Sequence, residues 1–254
     1  MNDLLRLAED VARAAGALLL ERFRAPAEGV TSKSSSTDMV SDADRAAEAL
    51  IVDAVRRARP DDGILGEEGG ESYGTSGIRW VVDPLDGTTN FLFGIPQWAV
   101  SIACEDEQGA GVGVVYAPVA GELFAAARGA GARCNGRPIA VRGTTQLTQA
   151  LVATGFGYAA EARARQAREL VPVLPAVRDI RRLGAASLDL AWVACGRFDA
   201  YFESPMERWD VAAGRLLVTE AGGRVADIPF SGDGVGTLAA APGVFDALAG
   251  LVGG

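Results

Sequence analysis

The sequence predicts an α/β protein built as an α+β layered sandwich, and three observations carry that reading. Segments with helical spacing of apolar residues open and close the chain. A β-branched run, "IRWVVD", ends abruptly in acids and glycine. After residue 150, short apolar strands alternate with helical stretches.

Taken in order, Leu4, Leu7, Val11, Ala15, Leu18 and Leu19 define a helix over residues 3–24 that stops before Pro26. "TSKSSSTDMVSD" reads as a polar loop, after which Ser41 and Asp44 form a capping box that opens a helix through about Arg59. "GILGEEGGESYGTSG" reads as a Gly-rich loop leading into the strand "IRWVVD". Antiparallel strands follow, with Asn135-Gly136 suited to a type I′ hairpin turn. Beyond them come the strand "ALVATGF", a helix over 160–170, the strand "DIRRLG", the helix "AASLDLAWVACG" and the strand "FDAYFE". The helix "WDVAAGRLLVTEAGG" ends at Gly222-Gly223, and strands "RVADI" and "GTLAAA" lead to a last helix. The sequence changes character near residue 145, so a single domain over 1–254 divides into halves at 1–145 and 146–254.

Composition narrows the chemistry. With 254 residues, 49% hydrophobic and 22% charged, the chain has the balance of a soluble globular protein. A net charge of −9 gains nothing from counterion release, so no nucleic-acid partner is expected. Cys104, Cys134 and Cys195 are odd in number and form no CxxC pair, which reads as reduced thiols in a cytoplasmic protein. Acids interrupt the apolar N-terminus, so it reads as neither signal peptide nor membrane span, and no membrane partner is expected. There is no histidine, which removes Ser-His-Asp and Cys-His catalysis and every His-containing zinc site. No Cys-x5-Arg loop is present either. Catalysis here has to rest on carboxylates, hydroxyls, Lys or Arg, and metals that prefer oxygen.

That points to "DPLDGTTNF", residues 83–91. Strand ends are where α/β proteins place ligands. Asp83 and Asp86 can reach one point there, with the Leu85 carbonyl beside them, and such oxygen donors suit Mg²⁺. Gly87 and Thr88 then offer backbone N–H groups to a phosphate. Solvated acids at a strand-turn junction would give the same local sequence. Glu67 and Glu68 also read as a solvated acidic loop, and Asp210 as an acid favoured by a helix N-terminus.

Taken together, "GEE" (66–68), "DPLDGTTNF" (83–91) and "WDVAAG" (209–214), in this order, resemble the inositol monophosphatase family. The resemblance extends through "DMVSDAD", "GELF…GAGARCNGRPI" and "RRLGAASLDLAWVACGRFDAYFE", nearly the whole chain. It implies the αβαβα fold shared with fructose-1,6-bisphosphatase and a Mg²⁺-dependent, lithium-sensitive phosphomonoesterase. It also implies two to three Mg²⁺ ions: Glu67, Asp83 and the Leu85 carbonyl on one, Asp83, Asp86 and Asp210 on a second, and Glu67 beside a weaker third. Gly87 and Thr88 would hold phosphate, Thr88 and Asp44 would orient the attacking water, and Lys33 would lie near the site. Ala186 and Glu203 fall where the family contacts the inositol ring, whereas Ala185 occupies a position that often carries Ser or Thr. Metal activation of water would then make transfer direct, without a phosphoenzyme. By resemblance the substrate is inositol 1-phosphate or a related small polyol or sugar phosphate, and the protein a homodimer.

Other readings fare less well. The D-x-D-G-T motif of haloacid-dehalogenase phosphatases needs an acid at position 84, where Pro84 stands. "GFGYAA" and "GVGTLA" match a loose dinucleotide fingerprint, as chance allows among 32 glycines. Histidinol phosphate, fructose 1,6-bisphosphate, NADP and 3′-phosphoadenosine phosphates remain alternative substrates within the family. A non-catalytic regulatory protein on the same fold is the alternative of another class.

Overall fold

In the computed structural model, the described residues are 1–23, 29–32, 39–229 and 235–252. Helix α1 (Asn2–Phe23) precedes a short antiparallel pair, β1 (Thr31–Ser32) and β2 (Met39–Val40), and helix α2 (Asp42–Ala58) follows. The capping box at α2 forms as its sequence requires: Ser41 accepts from the Ala43 amide, and Asp44 accepts from the Ser41 amide.

Eight strands make the larger sheet. They are β3 (Gly63–Gly66), β4 (Gly70–Ser72), β5 (Arg79–Asp86), β6 (Ala99–Asp106), β7 (Gly109–Ala117), β8 (Glu122–Ala127), β9 (Ala132–Cys134) and β10 (Arg137–Pro138). Their order is β10-β9-β8-β7-β6-β5-β3-β4, antiparallel except that β3 runs parallel to β5. The five-residue helix α3 (Thr88–Leu92) follows β5 directly. A smaller sheet is ordered β12-β11-β13-β15-β14, from β11 (Leu151–Thr154), β12 (Asp179–Arg181), β13 (Ala200–Glu203), β14 (Arg224–Pro229) and β15 (Val235–Ala240). Between and after these strands lie α4 (Ala160–Val173), α5 (Ala186–Ala194), α6 (Arg208–Glu220) and α7 (Pro242–Val252).

Three apolar clusters explain the stacking. One face of the larger sheet, with Trp80, Val82, Val100 and Ile102, packs on α1 and α2. Its other face, with Val81, Ala99, Ala103 and Val115, packs on α5 and α6, which reach Ala153, Tyr201 and Ala239 of the smaller sheet on their far side. The outer face of the smaller sheet is covered by α7, with Val173 of α4 in the same cluster. The result is an αβαβα sandwich. Strand alternation assigns the faces: Trp80 and Val82 look toward α1 and α2, Val81 toward α5 and α6.

The structure departs from the sequence reading in three stretches, the first being the segment read as a polar loop before α2, where Thr31–Ser32 and Met39–Val40 pair as β1 and β2. Residues 63–72 are not all loop. Gly63, Ile64, Leu65 and Gly66 form β3, because their partner β5 is apolar and lies alongside, and Glu67 and Glu68 sit in the turn to β4. Strand β6 was invisible to pattern, since it is buried on both faces and so lacks polar alternation. The Asn135-Gly136 turn appears as expected, with both residues at positive φ and Cys134 paired to Arg137. All three cysteines are free. No helix among the described residues is long and apolar enough to cross a membrane.

Candidate metal and phosphate site

Strand β5 delivers the acids. Opposite β6, Asp83 pairs with Ser101 and Asp86 with Ala99, so Pro84 and Leu85 together face one residue, Val100. That is a β-bulge, and Pro84, which has no N–H to give the ladder, sits in it. The bulge matters because side chains alternate along a strand. Residues three apart would point to opposite faces; the extra residue returns Asp86 to the face of Asp83, the one toward α5 and α6. Leu85 is left in the opposite cluster with α1 and α2.

Each acid is then met by another element. Asp86 accepts from the Ala186 amide at 3.1 Å and from the Ser187 amide and hydroxyl at 2.7 and 2.5 Å, all at the N-terminus of α5. The side chain of Asp83 accepts from the Leu85 amide at 3.0 Å and lies within hydrogen-bonding reach of Glu67. Asp210 stands in the first turn of α6, accepting from the Glu207 amide at 2.9 Å. That helix start is anchored to the larger sheet by Arg208, which pairs with the buried Glu105 at 2.8 Å.

The electrostatics are unfavourable as they stand. Burial pushes Asp83 well above the usual carboxylate range, and the negative charges of Glu67, Asp86 and Asp210 push it further. Asp210 is raised well above its ordinary value by burial, then by Asp86 and Glu67. Asp86 is raised by burial against the opposing effect of its Ser187, Ala186 and Leu188 donors. Carboxylates this crowded need a cation or protons. Every donor in the set is oxygen, which fits Mg²⁺ and not a thiolate- or imidazole-seeking metal. Among the described residues no three acidic side chains are already closed around one point. Asp86 and Asp210 are instead turned onto helix amides.

Beside the acids, Gly87 caps α3 with a φ of 93°, a conformation that favours glycine; a Cβ there would lie 3.0 Å from the Gln97 carbonyl. The Thr88 hydroxyl stands 2.9 Å from Asp44 and 3.1 Å from the Leu85 carbonyl, so its one hydrogen is shared between two acceptors. Asn90 ties α3 to the segment before α5 by donating to the Gln97 and Leu183 carbonyls at 2.6 and 2.8 Å.

At the far side, Glu203 ends β13. The Tyr201 hydroxyl donates to it at 2.8 Å, and burial pushes its carboxyl up to about 7 against the pull of Tyr201 and Arg182. The backbone of Gly155 passes so close that a Cβ there would fall 2.0 Å from Glu203 Oε2.

Thr88, Asp44, Asp83, Leu85, Asp86 and Gly87 thus lie together around the end of β5, with charge effects linking Glu67, Asp210 and Glu203 to the same acids. The Ala186 amide is committed to Asp86. Lys33 lies outside the described residues. Sequence reasoning missed Ser187 and Tyr201, which hold Asp86 and Glu203; a small hydroxyl residue in the first turn of α5 was the available signal for the first.

Fold and site together define a class: a five-layer α/β protein with repelling acids at one strand end beside helix N-termini. Within that class, the chain belongs to the inositol monophosphatase family, which it matches over residues 1–245. It is 45% identical over 231 residues to the Nus factor SuhB of Escherichia coli strain K12, covering 89% of this chain and 86% of that protein. The extragenic suppressor protein suhB of Bartonella henselae superposes with a TM-score of 0.91 at 39% identity, over 98% of each chain. The inositol monophosphatase of Anabaena (Nostoc) sp. PCC 7120 superposes with a TM-score of 0.84 at 36% identity, over 98% of this chain and 95% of that one.

Proposed function

We propose that this protein is a Mg²⁺-dependent phosphomonoesterase acting on inositol 1-phosphate or a related small polyol or sugar phosphate. The observation that carries the reading is the mutually repelling set of buried Asp83 and Asp86 with half-buried Glu67 and Asp210, next to the backbone amides that open α3. Glu67, Asp83, Asp86, Asp210 and the Leu85 carbonyl would hold two to three Mg²⁺ ions, with Asp83 shared between two. Bound there, Mg²⁺ supplies screening of the phosphate charge and a lowered pKa for water. Gly87 and Thr88 present backbone N–H groups to the phosphate. Asp44 fixes the Thr88 hydroxyl, and the pair can accept and orient the proton of an attacking water. Glu203, steadied by Tyr201, accepts hydrogen bonds from substrate hydroxyls, with Ala186 beside the ring. Lithium sensitivity, a homodimer and a cytoplasmic location belong to the same reading. Phe93 and Ile95, at 72% and 47% exposure just after α3, give a dimer an apolar patch to cover.

The test is phosphate release from inositol 1-phosphate, histidinol phosphate, fructose 1,6-bisphosphate, NADP and 3′-phosphoadenosine phosphate after exhaustive chelation, then with Mg²⁺ restored. We expect no turnover without metal, full recovery with Mg²⁺, and preference for the polyol ester. Full activity in the chelated protein would overturn the metal reading. The name Nus factor, borne by the 45% identical relative, favours a second reading: a non-catalytic regulatory role on this fold, with a macromolecular partner. Failure of every ester in the panel at saturating Mg²⁺ would leave that reading standing.

A further inference from the structure

Helix α2 carries a second buried carboxylate on the face that bears Asp44. Glu48 lies four residues further on, one turn along the same face, and is 5% exposed. Asp44 receives the Thr88 hydroxyl, whereas Glu48 receives the backbone N–H of Glu68 on its Oε2 at 2.8 Å. The whole turn is shaped around that carboxylate. A Cβ on Gly66 would lie 2.7 Å from Oε2, and one on Gly69 would lie 2.6 Å from Oε1. Neither glycine has a positive φ, so what the turn requires of them is space, not left-handed backbone. From the opposite side, the Glu67 amide donates to the Val82 carbonyl of β5 at 3.2 Å. The backbone around Glu67 is therefore clamped between α2 and β5, and the clamp on the α2 side is a buried side-chain carboxyl oxygen.

We propose that Glu48 is a positioning residue for Glu67: its buried carboxylate sets the turn over residues 66–69 so that the Glu67 side chain projects at Asp83. The proposal rests on the reading of Glu67 as a Mg²⁺ ligand. It makes α2 a bar that places two parts of the site at once, Thr88 through Asp44 and Glu67 through Glu48. Groups that hold a metal ligand typically change metal affinity or activity by 10–100-fold when removed.

The experiment is calorimetric titration of Mg²⁺ into the metal-free parent and its Glu48→Ala, Glu48→Gln and Gly69→Ala variants, with melting temperatures alongside. Glu48→Ala is expected to weaken Mg²⁺ binding by roughly 10–100-fold. Glu48→Gln keeps an oxygen for the Glu68 amide and is expected to recover most of that loss. Gly69→Ala, which drives a methyl group into the carboxylate, is expected to weaken binding in the parent and to cost nothing further in the Glu48→Ala background. Should Glu48→Ala fail to fold, Glu48→Asp, which withdraws the carboxylate by one methylene, takes its place. A Glu48→Ala protein that melts lower yet binds Mg²⁺ as the parent does would overturn the role of Glu48 alone. The same holds if Gly69→Ala costs as much in both backgrounds. A parent that binds no Mg²⁺ would overturn the reading of Glu67 as a ligand, and this proposal with it.

Discussion

Asp62 and Asp83 are both buried at the larger sheet, and the fold treats them in opposite ways. Asp62 lies just before β3 and is supplied with donors: Arg59 at 2.9 and 3.1 Å, Ser76 at 2.6 Å and the Trp80 indole at 2.9 Å. Burial would raise its carboxyl, yet these donors outweigh burial and hold it below the ordinary Asp value. Asp83 lies at the end of β5 among other carboxylates, and it is held well above that value by burial and by Glu67, Asp86 and Asp210. A buried acid that serves the fold is paid in hydrogen bonds from within the chain. One left among its own kind has its charge opposed, which is the feature on which the proposed metal site rests.

The sharpest way to break the comparison is Asp83→Asn. Removing one charge from the cluster should cut phosphate release at saturating Mg²⁺ by at least ~10²–10³-fold, the scale for losing a key electrostatic group. In the metal-free protein the same change relieves repulsion, so its melting temperature should hold or rise. Near-parental turnover would refute the shared-ligand role, and a lower melting temperature would refute the account of strain.

Asp62→Ala should do the reverse. It leaves the buried Trp80 indole N–H without its acceptor and frees Arg59, costing about 1–3 kcal/mol of stability. Turnover per folded molecule should be unchanged, as read by denaturation and active-site-normalised rates. A selective loss of turnover would place Asp62 with the site.

Glu203 stands between these two extremes, with one donor in Tyr201 and a carboxyl near neutrality. Glu203→Gln should cost roughly 1–3 kcal/mol in kcat/KM on inositol 1-phosphate, the scale of a charge-assisted hydrogen bond. On p-nitrophenyl phosphate, which lacks the hydroxyls, it should cost little. Equal losses on both esters would move Glu203 into the shared chemistry or the fold. No loss on either would make it a bystander.

The smallest effect is thermal. The Glu203 carboxyl is raised from 4.5 to about 7 in the folded protein. A raised carboxyl contributes stability in full below its unfolded value, and the contribution is lost as pH climbs through the folded one. The metal-free parent should therefore lose melting temperature relative to Glu203→Gln between about pH 4.5 and 7. Parallel curves for the two proteins would show that Glu203 is not held neutral.

How much of this was legible in the sequence depended on whether the signal was local. Caps, helix periods and the Asn135-Gly136 turn depend on neighbours in the chain, and they appeared where expected. Strand β6 is buried on both faces and carries no polar alternation, so it left no trace. At the site, the acids could be read from their spacing and order. The long-range contacts that hold the site together could not be paired from sequence: Ser187 meets Asp86 across 101 residues, and Asn90 ties α3 to the Leu183 carbonyl across 93. Nor does the sequence show that Pro84 and Leu85 share a single partner on β6; a strand of the same composition in plain register would send Asp86 to the other layer.

That bulge turns chain length itself into part of the site. Between Asp83 and Asp86 what is specified is a count, and parity decides which layer receives the second acid. An exchange of Leu85 for another apolar residue leaves the count intact. Deleting one residue there, even with every acid retained, would hand Asp86 to the layer of α1 and α2 and leave the Ser187 donors facing nothing. The segment is open to spelling errors and closed to frame shifts, so its history should show substitutions without gaps.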